Sequence, residues 1–125
     1  MSQWTVTLDG LPPMTLNQRQ HWAARARDVK AWRQRTAWEC KAARVPRLDR
    51  CEVVLRGAPP TNRRRDRHNL VPSLKAAVDG LVDAGVIPDD TPDHLVADRV
   101  EILPAHRAKG WTGWCWRLDI TDASG

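Results

Sequence analysis

Apolar and polar residues alternate with a period of two at the start of the chain and follow a helical period after it. The alternation over residues 4–8 predicts a half-buried strand that Asp9-Gly10 ends. Over residues 17–43 the apolar positions recur at steps of three and four, which predicts an amphipathic helix that Pro46 stops. The buried stripe of this helix is expected to contain Trp22, Ala26, Val29, Trp32, Thr36 and Cys40.

Shorter elements follow in the second part of the chain. Residues 51–56 are predicted to form a strand. A helix predicted over 70–84 has Asn69 as its N-cap, Pro72 in its first turn and Gly85 just after its end. Strands over 94–103 and 114–121 are expected to be joined by a polar hairpin loop. The second helix is expected to bury Leu70, Leu74, Ala77, Val78 and Leu81.

The order of these elements is β-α-β-α-β-β. A chain of 125 residues is long enough for one hydrophobic core but not for two. We therefore expect a single α+β domain over residues 1–125, with two helices and one mixed four-stranded sheet.

Charge is unevenly distributed along the chain. Residues 1–75 hold 16 Lys and Arg against 6 Asp and Glu, whereas residues 76–125 hold 4 against 9. This asymmetry favours a surface that contacts nucleic acid, although a protein with merely uneven charge has the same counts.

The cysteines and the first residues of the chain indicate the cellular compartment in which the protein is expected. Cys40, Cys51 and Cys115 are far apart and are expected to be reduced and mostly buried. Closely spaced Cys/His pairs are missing, which argues against a zinc site. The first residues do not resemble a signal peptide, and no apolar run approaches a membrane span. We therefore expect a cytoplasmic protein that does not enter a membrane.

Carboxylates stand beside a run of arginines in the middle of the chain. Asp66 interrupts the arginine run 63–67, and Asp89-Asp90 follow the second helix. Mg²⁺ prefers carboxylate oxygens and completes its octahedron with water and substrate phosphate oxygens. Arginines beside such an ion would hold a phosphate backbone. The pattern predicts a metal-dependent nuclease.

The two acidic positions lie at opposite ends of the second helix. A helix of about fifteen residues is about 22 Å long, so Asp66 and Asp90 can meet within one subunit only if the loop that begins at 86–88 folds back along the helix. Lys75 is either a solvated lysine or a residue that leans toward Asp66. Asp89-Asp90 can also be a simple turn after Pro88.

The central segment resembles a known family. The residues Arg63-Arg64-Arg65-Asp66-x-x-Asn69-Leu70, the stretch 74–85 and Asp89-Asp90 are similar to the RusA family of Holliday junction resolvases, which are common in phages and prophages. Residues Leu11-Pro12-Pro13, Asn17 and His21-Trp22 add to the likeness, which covers about residues 4–121.

This resemblance implies a RusA-like fold and a small homodimeric endonuclease that depends on Mg²⁺ or Mn²⁺. Such enzymes make paired nicks in branched DNA, at four-way junctions, near the nucleoid or in the host cytoplasm when a phage encodes them. The resemblance implies that Asp66 and Asp90 are catalytic metal-binding carboxylates, that Asp89 stands beside them and that Lys75 is the catalytic lysine.

His68 departs from the family pattern, which commonly reads Asp-x-Asp-Asn where this chain has Asp66-Arg67-His68-Asn69. The chain is also longer than the family pattern around Val71-Pro72. A neutral histidine can ligate a metal or act as a base, but the lost negative charge should weaken Mg²⁺ binding and favour Mn²⁺. Alternatively, His68 only contacts phosphate or caps the helix, and the site is impaired.

Three functions follow from these residues. In a resolvase, a cation held by Asp66 and Asp90 activates a water while Lys75 neutralises charge on the phosphoryl oxygens. The alternatives are a structure-selective DNA-binding protein that lacks catalysis and a module whose basic helix binds an acidic protein. Contacts with the DNA backbone are expected from Arg63, Arg64, Arg65, Arg67, Arg19 and Lys30.

The tryptophan-rich segment 111–116 has two possible uses, base stacking and packing of the sheet. Alternation along the predicted strand favours packing for Trp114 and Trp116. Trp111 is left as the candidate for stacking on unpaired bases.

Overall fold

A computed structural model of the protein describes residues 2–16, 21–62 and 65–124. It confirms the predicted α+β order and adds a 3₁₀ helix, Arg67–Leu70, directly before the second α-helix. The elements are β1 (Gln3–Thr7), α1 (Trp22–Ala42), β2 (Cys51–Ala58), α2 (Val71–Asp83), β3 (Leu95–Ile102) and β4 (Cys115–Asp122).

The four strands form one mixed sheet in the order β1-β4-β2-β3. Strand β4 is antiparallel to both β1 and β2, whereas β2 and β3 are parallel. The predicted hairpin between β3 and β4 is therefore wrong, because β2 lies between these two strands. The inner position of β4 agrees with its alternating buried residues Trp116, Leu118 and Ile120, which face the core.

The two helices pack against each other and against one face of the sheet. Val53 and Leu55 of β2 and the apolar stripe of α2 are buried in the same hydrophobic core. All members predicted for that stripe are buried, namely Leu70, Leu74, Ala77, Val78 and Leu81.

Only the second half of α1 has the buried stripe that the sequence predicts. Trp32, Thr36 and Cys40 are buried, whereas Trp22 is 77% exposed and Ala26 is also exposed. Trp32 is fixed over the sheet, because its indole donates to the Pro12 carbonyl and meets Trp116 edge to face. The first turns of the helix lack such cover, so the prediction that Trp22 and Ala26 belong to the core is wrong.

The start of each helix also differs from its prediction. Helix α1 begins at Trp22 rather than at residue 17, and the His21 ring caps it by accepting the Ala23 N–H. Residue 17 itself lies outside the described residues. For α2, Leu70 occupies the N-cap position without a side-chain cap, so the assignment of Asn69 is wrong. The reason is the preceding 3₁₀ helix, which is capped by Asp66.

Pro72 and Gly85 take their predicted places. Pro72 lies in the first turn of α2, and Gly85 follows the helix with a φ of 77°, a conformation that favours glycine. None of the helices within residues 2–16, 21–62 and 65–124 is long and apolar enough to cross a membrane.

Candidate active site

Three parallel strands share one edge of the sheet, and both helices begin there. Strand β1 is parallel to β2 because both are antiparallel to β4, and β3 is parallel to β2. Ligands of α/β folds commonly bind outside the carboxyl ends of parallel strands. We call this side of the sheet the carboxyl edge.

A cleft of about 1050 Å³ opens at the carboxyl edge. Its polar wall comes from the segment between β2 and α2, and its apolar wall comes from the ends of β3 and β4. The residues that line it are Pro13, Thr15, Arg65, Asp66, Arg67, His68, Asn69, Leu70, Glu101, Ile102, Leu103 and Trp114.

Asp66 is held in a fixed orientation at the mouth of this cleft. Its Oδ1 accepts the His68 N–H at 2.9 Å, and its carbonyl accepts the Asn69 N–H at 3.1 Å. Its Oδ2 accepts no hydrogen bond from the part of the chain that the structure describes. The carboxylate is exposed and therefore has one oxygen directed to solvent or to a ligand. His68, in the 3₁₀ helix, lines the same cleft.

Arg65 is stacked on an aromatic column that runs through the sheet. Its guanidinium lies 5.2 Å from the centre of the Trp114 ring and donates to the Thr61 carbonyl at 2.7 Å. Trp114 stacks in turn on Trp116, with ring centres 4.9 Å apart. Gly57 makes this possible, because a Cβ there would come within 2.5 Å of the Trp116 ring. The column fixes a positive charge beside Asp66.

Lys75 and the acidic pair Asp89-Asp90 form a second group on the outer side of α2. The Lys75 ammonium lies 3.8 Å from Asp90 Oδ2, and Asp89 Oδ1 accepts the Asp90 N–H. The loop after α2 therefore folds back along the helix, which was the condition for Asp66 and Asp90 to approach each other. The ion pair itself is exposed and contributes little stability.

The structure does not join the two groups by any contact between described residues. Asp89, Asp90 and Lys75 do not line the cleft that contains Asp66 and His68. Lys75 contacts Asp90 rather than leaning to Asp66. It lies four residues past Val71, which corresponds to about 6 Å along the axis at 1.5 Å per residue. Both groups thus occupy the amino-terminal end of α2, on separate sides.

The donor chemistry of this end suits Mg²⁺ or Mn²⁺, but only in a sparse arrangement. Within residues 2–16, 21–62 and 65–124, no group of three or more His, Cys, Asp or Glu side chains could hold a metal ion. Mg²⁺ commonly binds through one or two carboxylates and takes its other ligands from water and substrate phosphates. Asp66 and Asp90 could each supply one carboxylate in that mode, with His68 and Asp89 as their respective neighbours, but the described residues bring the two carboxylates into no common contact.

The structure describes three of the six residues predicted to bind DNA, and these three occupy two places. Arg65 and Arg67 line the cleft, and Lys30 is exposed on α1 beside a shallow groove that includes Asp83. Arg19, Arg63 and Arg64 lie outside the described residues.

Arg25 and Glu101 belong to the surroundings of the cleft although the sequence did not single them out. Arg25 donates to the carbonyl of Thr15, a cleft residue, at 3.4 Å. Glu101 is held by arginines, and hydrogen bonds from Arg99 and Arg56 lower its pKa. The contact of Glu101 with Arg56 joins residues 45 positions apart, so no local signal would have found it, whereas Arg25 is marked only by its position in the first turn of α1.

The tryptophans of segment 111–116 and the cysteines take the environments that the sequence predicts. Trp114 and Trp116 are buried, whereas Trp111 is 43% exposed. All three cysteines are free thiols, and burial raises the pKa of Cys40 to about 12 and that of Cys51 to about 11. Neither buried thiol is a thiolate near neutral pH, which argues against cysteine nucleophiles at these two positions.

No known family model matches this sequence, and no curated protein matches it at a significant level.

Proposed function

We propose that the protein is a divalent-metal-dependent endodeoxyribonuclease that cleaves four-way DNA junctions as a homodimer. The observation that carries the proposal is the placement of Asp66 in a cleft beside Arg65 and Arg67 at the carboxyl edge, with an Oδ2 atom that accepts no hydrogen bond from the described residues. A carboxylate among arginines suits a metal-bridged phosphate. The resemblance to RusA resolvases specifies the branched substrate.

Asp66 and the arginines would divide the binding of the scissile phosphate between them. The 3₁₀ helix orients the Asp66 carboxylate before substrate arrives, which avoids an ordering cost during the reaction. Arg65 is held by Trp114 and by the Thr61 carbonyl, so its charge is also preorganised. The chemistry that a bound divalent cation supplies is polarisation of the phosphate and activation of a water.

Lys75 and Asp90 would complete the site from the other side of α2. In the free protein their charges neutralise each other across 3.8 Å. A DNA phosphate that contacts Lys75 would compete with Asp90 for the ammonium group and leave the Asp90 carboxylate available to a cation. Lys75 is 70% exposed on its side chain, so it can exchange partners at little cost.

A homodimer matches the symmetry of the proposed substrate. A four-way junction has approximate two-fold symmetry and needs two nicks, so two copies of the cleft related by a two-fold axis fit it.

A structure-selective DNA-binding protein without catalysis is the second candidate. It is favoured by His68, which replaces an expected carboxylate, and by the lack of a three-ligand cluster among the described residues. The same cleft and arginines would then bind junctions without hydrolysis.

A cleavage assay separates these functions. A four-way junction with one labelled strand in each of four preparations is incubated with Mn²⁺, with Mg²⁺ or with EDTA, beside a linear duplex of the same sequence. The proposal predicts paired nicks in the junction with Mn²⁺, fewer with Mg²⁺ and none with EDTA. Junction binding without nicks in either metal would favour the second candidate. Affinity for DNA that hardly responds to salt would instead favour a protein-binding module, because phosphate contacts weaken steeply with salt.

A further inference from the structure

Exposed large hydrophobic residues are concentrated at the carboxyl edge. Six such residues are exposed in the described part of the chain, and four of them lie where the parallel strands end and the helices begin. We call these four the apolar rim: Leu16, Trp22, Val71 and Trp111. The other two, Trp38 and Val96, lie in the second half of α1 and at the start of β3.

Contacts between neighbouring residues tie the apolar rim to the cleft. The Leu16 N–H donates to the carbonyl of Asn69, a cleft residue, and Val71 follows two positions later. Arg25, one turn after Trp22, donates to the Thr15 carbonyl. The first turn of α1 therefore lies beside the cleft that contains Asp66.

Trp22 is the most exposed member of the rim. It is 77% exposed although it lies on the same side of α1 as Cys40, which is fully buried. Five helical turns separate these two residues, since 18 residues at 100° each complete whole turns. Its indole is on the core side of the helix but outside the core, and its one ring contact among the described residues is with His21, with ring centres 5.5 Å apart.

The charge around the rim is positive. Arg65 and Arg67 line the cleft, Arg25 lies one turn after Trp22, and Arg107 and Lys109 are exposed in the loop that carries Trp111. Aromatic rings beside basic residues bind single-stranded nucleic acid, because bases stack on the rings while arginines contact the phosphates. A second copy of this chain would have to bring the same positive charges against these.

We propose that the apolar rim, and above all Trp22, stacks on the base faces exposed at the branch point of a branched DNA. This inference rests on the proposed function and names the feature of the substrate that the site recognises. The bases of a continuous duplex are stacked on each other, so only a branch point or a single strand offers them. The rim would thus distinguish a junction from a duplex while the arginines bind both.

The test compares two tryptophans of the same helix. Trp22→Ala and Trp38→Ala each remove an exposed indole from α1, but only Trp22 lies at the carboxyl edge; Trp22→Phe keeps a ring. Binding to a labelled four-way junction and to a linear duplex is measured by fluorescence anisotropy in EDTA. A second junction carries 2-aminopurine at the branch, whose fluorescence reports stacking.

We expect Trp22→Ala to weaken junction binding roughly tenfold, with duplex binding unchanged. It should also lose the 2-aminopurine response, whereas Trp22→Phe and Trp38→Ala should retain both. Equal losses on junction and duplex, or no loss, would overturn the inference while wild-type nicking still supports the proposed function. A Trp22→Ala protein that sediments as a monomer when the wild type is a dimer would assign the rim to contact between copies instead. A wild type without preference for junctions would overturn both proposals.

Discussion

The Asp66 carboxylate caps the 3₁₀ helix and is also the group that we propose to bind the divalent cation. Its Oδ1 caps the 3₁₀ helix, and this fixes the orientation of the carboxylate, which lines the cleft. Because asparagine caps helices about as well as aspartate, replacement by asparagine removes the charge and preserves the cap. The function of the charge can therefore be tested without disturbing the fold.

Asp66→Asn is expected to keep junction affinity within a few-fold and to lower the single-turnover nicking rate at least about a hundredfold, because a charge placed for the transition state is lost. Lys75→Ala should behave in the same way. Asp93→Asn, which removes an exposed carboxylate that does not line the cleft, serves as the control. Near wild-type nicking by either variant would exclude that residue from the catalytic site.

Two glycines, Gly80 within α2 and Gly85 just after it, are required for different reasons. Gly80 allows α1 and α2 to approach closely, since a Cβ there would lie 2.6 Å from Thr36 Cβ and 2.9 Å from the Arg33 carbonyl oxygen. A Cβ added at Gly85 would meet no atom within 4 Å, but this residue has a φ of 77°. One glycine is required by contact and the other by backbone conformation.

These two requirements predict opposite orders of stability. Gly80→Ala should lower the free energy of unfolding by roughly 1–3 kcal/mol, and Gly80→Asn by more, because added volume must separate the helices. At Gly85, asparagine should be tolerated better than alanine, since it adopts the left-handed conformation more readily. Urea unfolding measures all four variants. Equal effects of alanine and asparagine at both positions would contradict this account.

The outer face of the sheet is held by a network of ion pairs and hydrogen bonds across all four strands. Asp119 of β4 accepts from the Thr5 hydroxyl at 2.6 Å and pairs with Arg56 of β2, which also pairs with Glu101 at 2.9 Å. Asp119 is only 6% exposed, so its charge depends on these partners.

Asp119→Ala should lower the free energy of unfolding by roughly 1–3 kcal/mol, because Arg56 and Thr5 lose their partner in a half-buried position. Asp119→Asn should cost less, since the amide oxygen still accepts from Thr5. The unfolding midpoint in guanidinium chloride measures both. An Asp119→Ala protein as stable as the wild type would mean that the network contributes nothing.

At the scale of the whole molecule, the periodicity of apolar residues predicted the features that depend on residues close together in the sequence. The order of elements and the buried stripe of α2 were predicted correctly, because burial there follows a local pattern. The crossing of β4 to a position between β1 and β2 was not, because pairing of strands distant in sequence leaves no local signal. The 3₁₀ helix was missed since an arginine-rich loop and a short helix have similar composition.

In the candidate site, too, the sequence predicted the local features but not the contacts between residues distant in the chain. Residue types and spacing selected Asp66 and Asp90 as candidates, and the predicted return of the loop is confirmed by the contact of Lys75 with Asp90. The contact of Arg65 with Trp114 was not predicted, because it joins residues far apart in the chain. That Asp66 and Asp90 bind the same cation remains a prediction.

The sparse set of ligands predicts that metal binding depends on DNA. The free protein should bind Mn²⁺ weakly, and addition of a four-way junction should strengthen binding at least about tenfold, because phosphate oxygens complete the coordination. Electron paramagnetic resonance of free Mn²⁺ measures this without cleavage. In the Asp66→Asn variant, addition of the junction should no longer increase the affinity for Mn²⁺. Tight binding that ignores DNA would point to a different metal site.

A crystal of the protein bound to a four-way junction in Mn²⁺ tests the central claim most directly. Anomalous scattering locates the ion independently of any assumption about its ligands. We predict a peak within bonding distance of Asp66 Oδ2 and a junction phosphate, with Asp90 completing the site. A junction bound at the carboxyl edge with its Mn²⁺ remote from Asp66 would contradict the account.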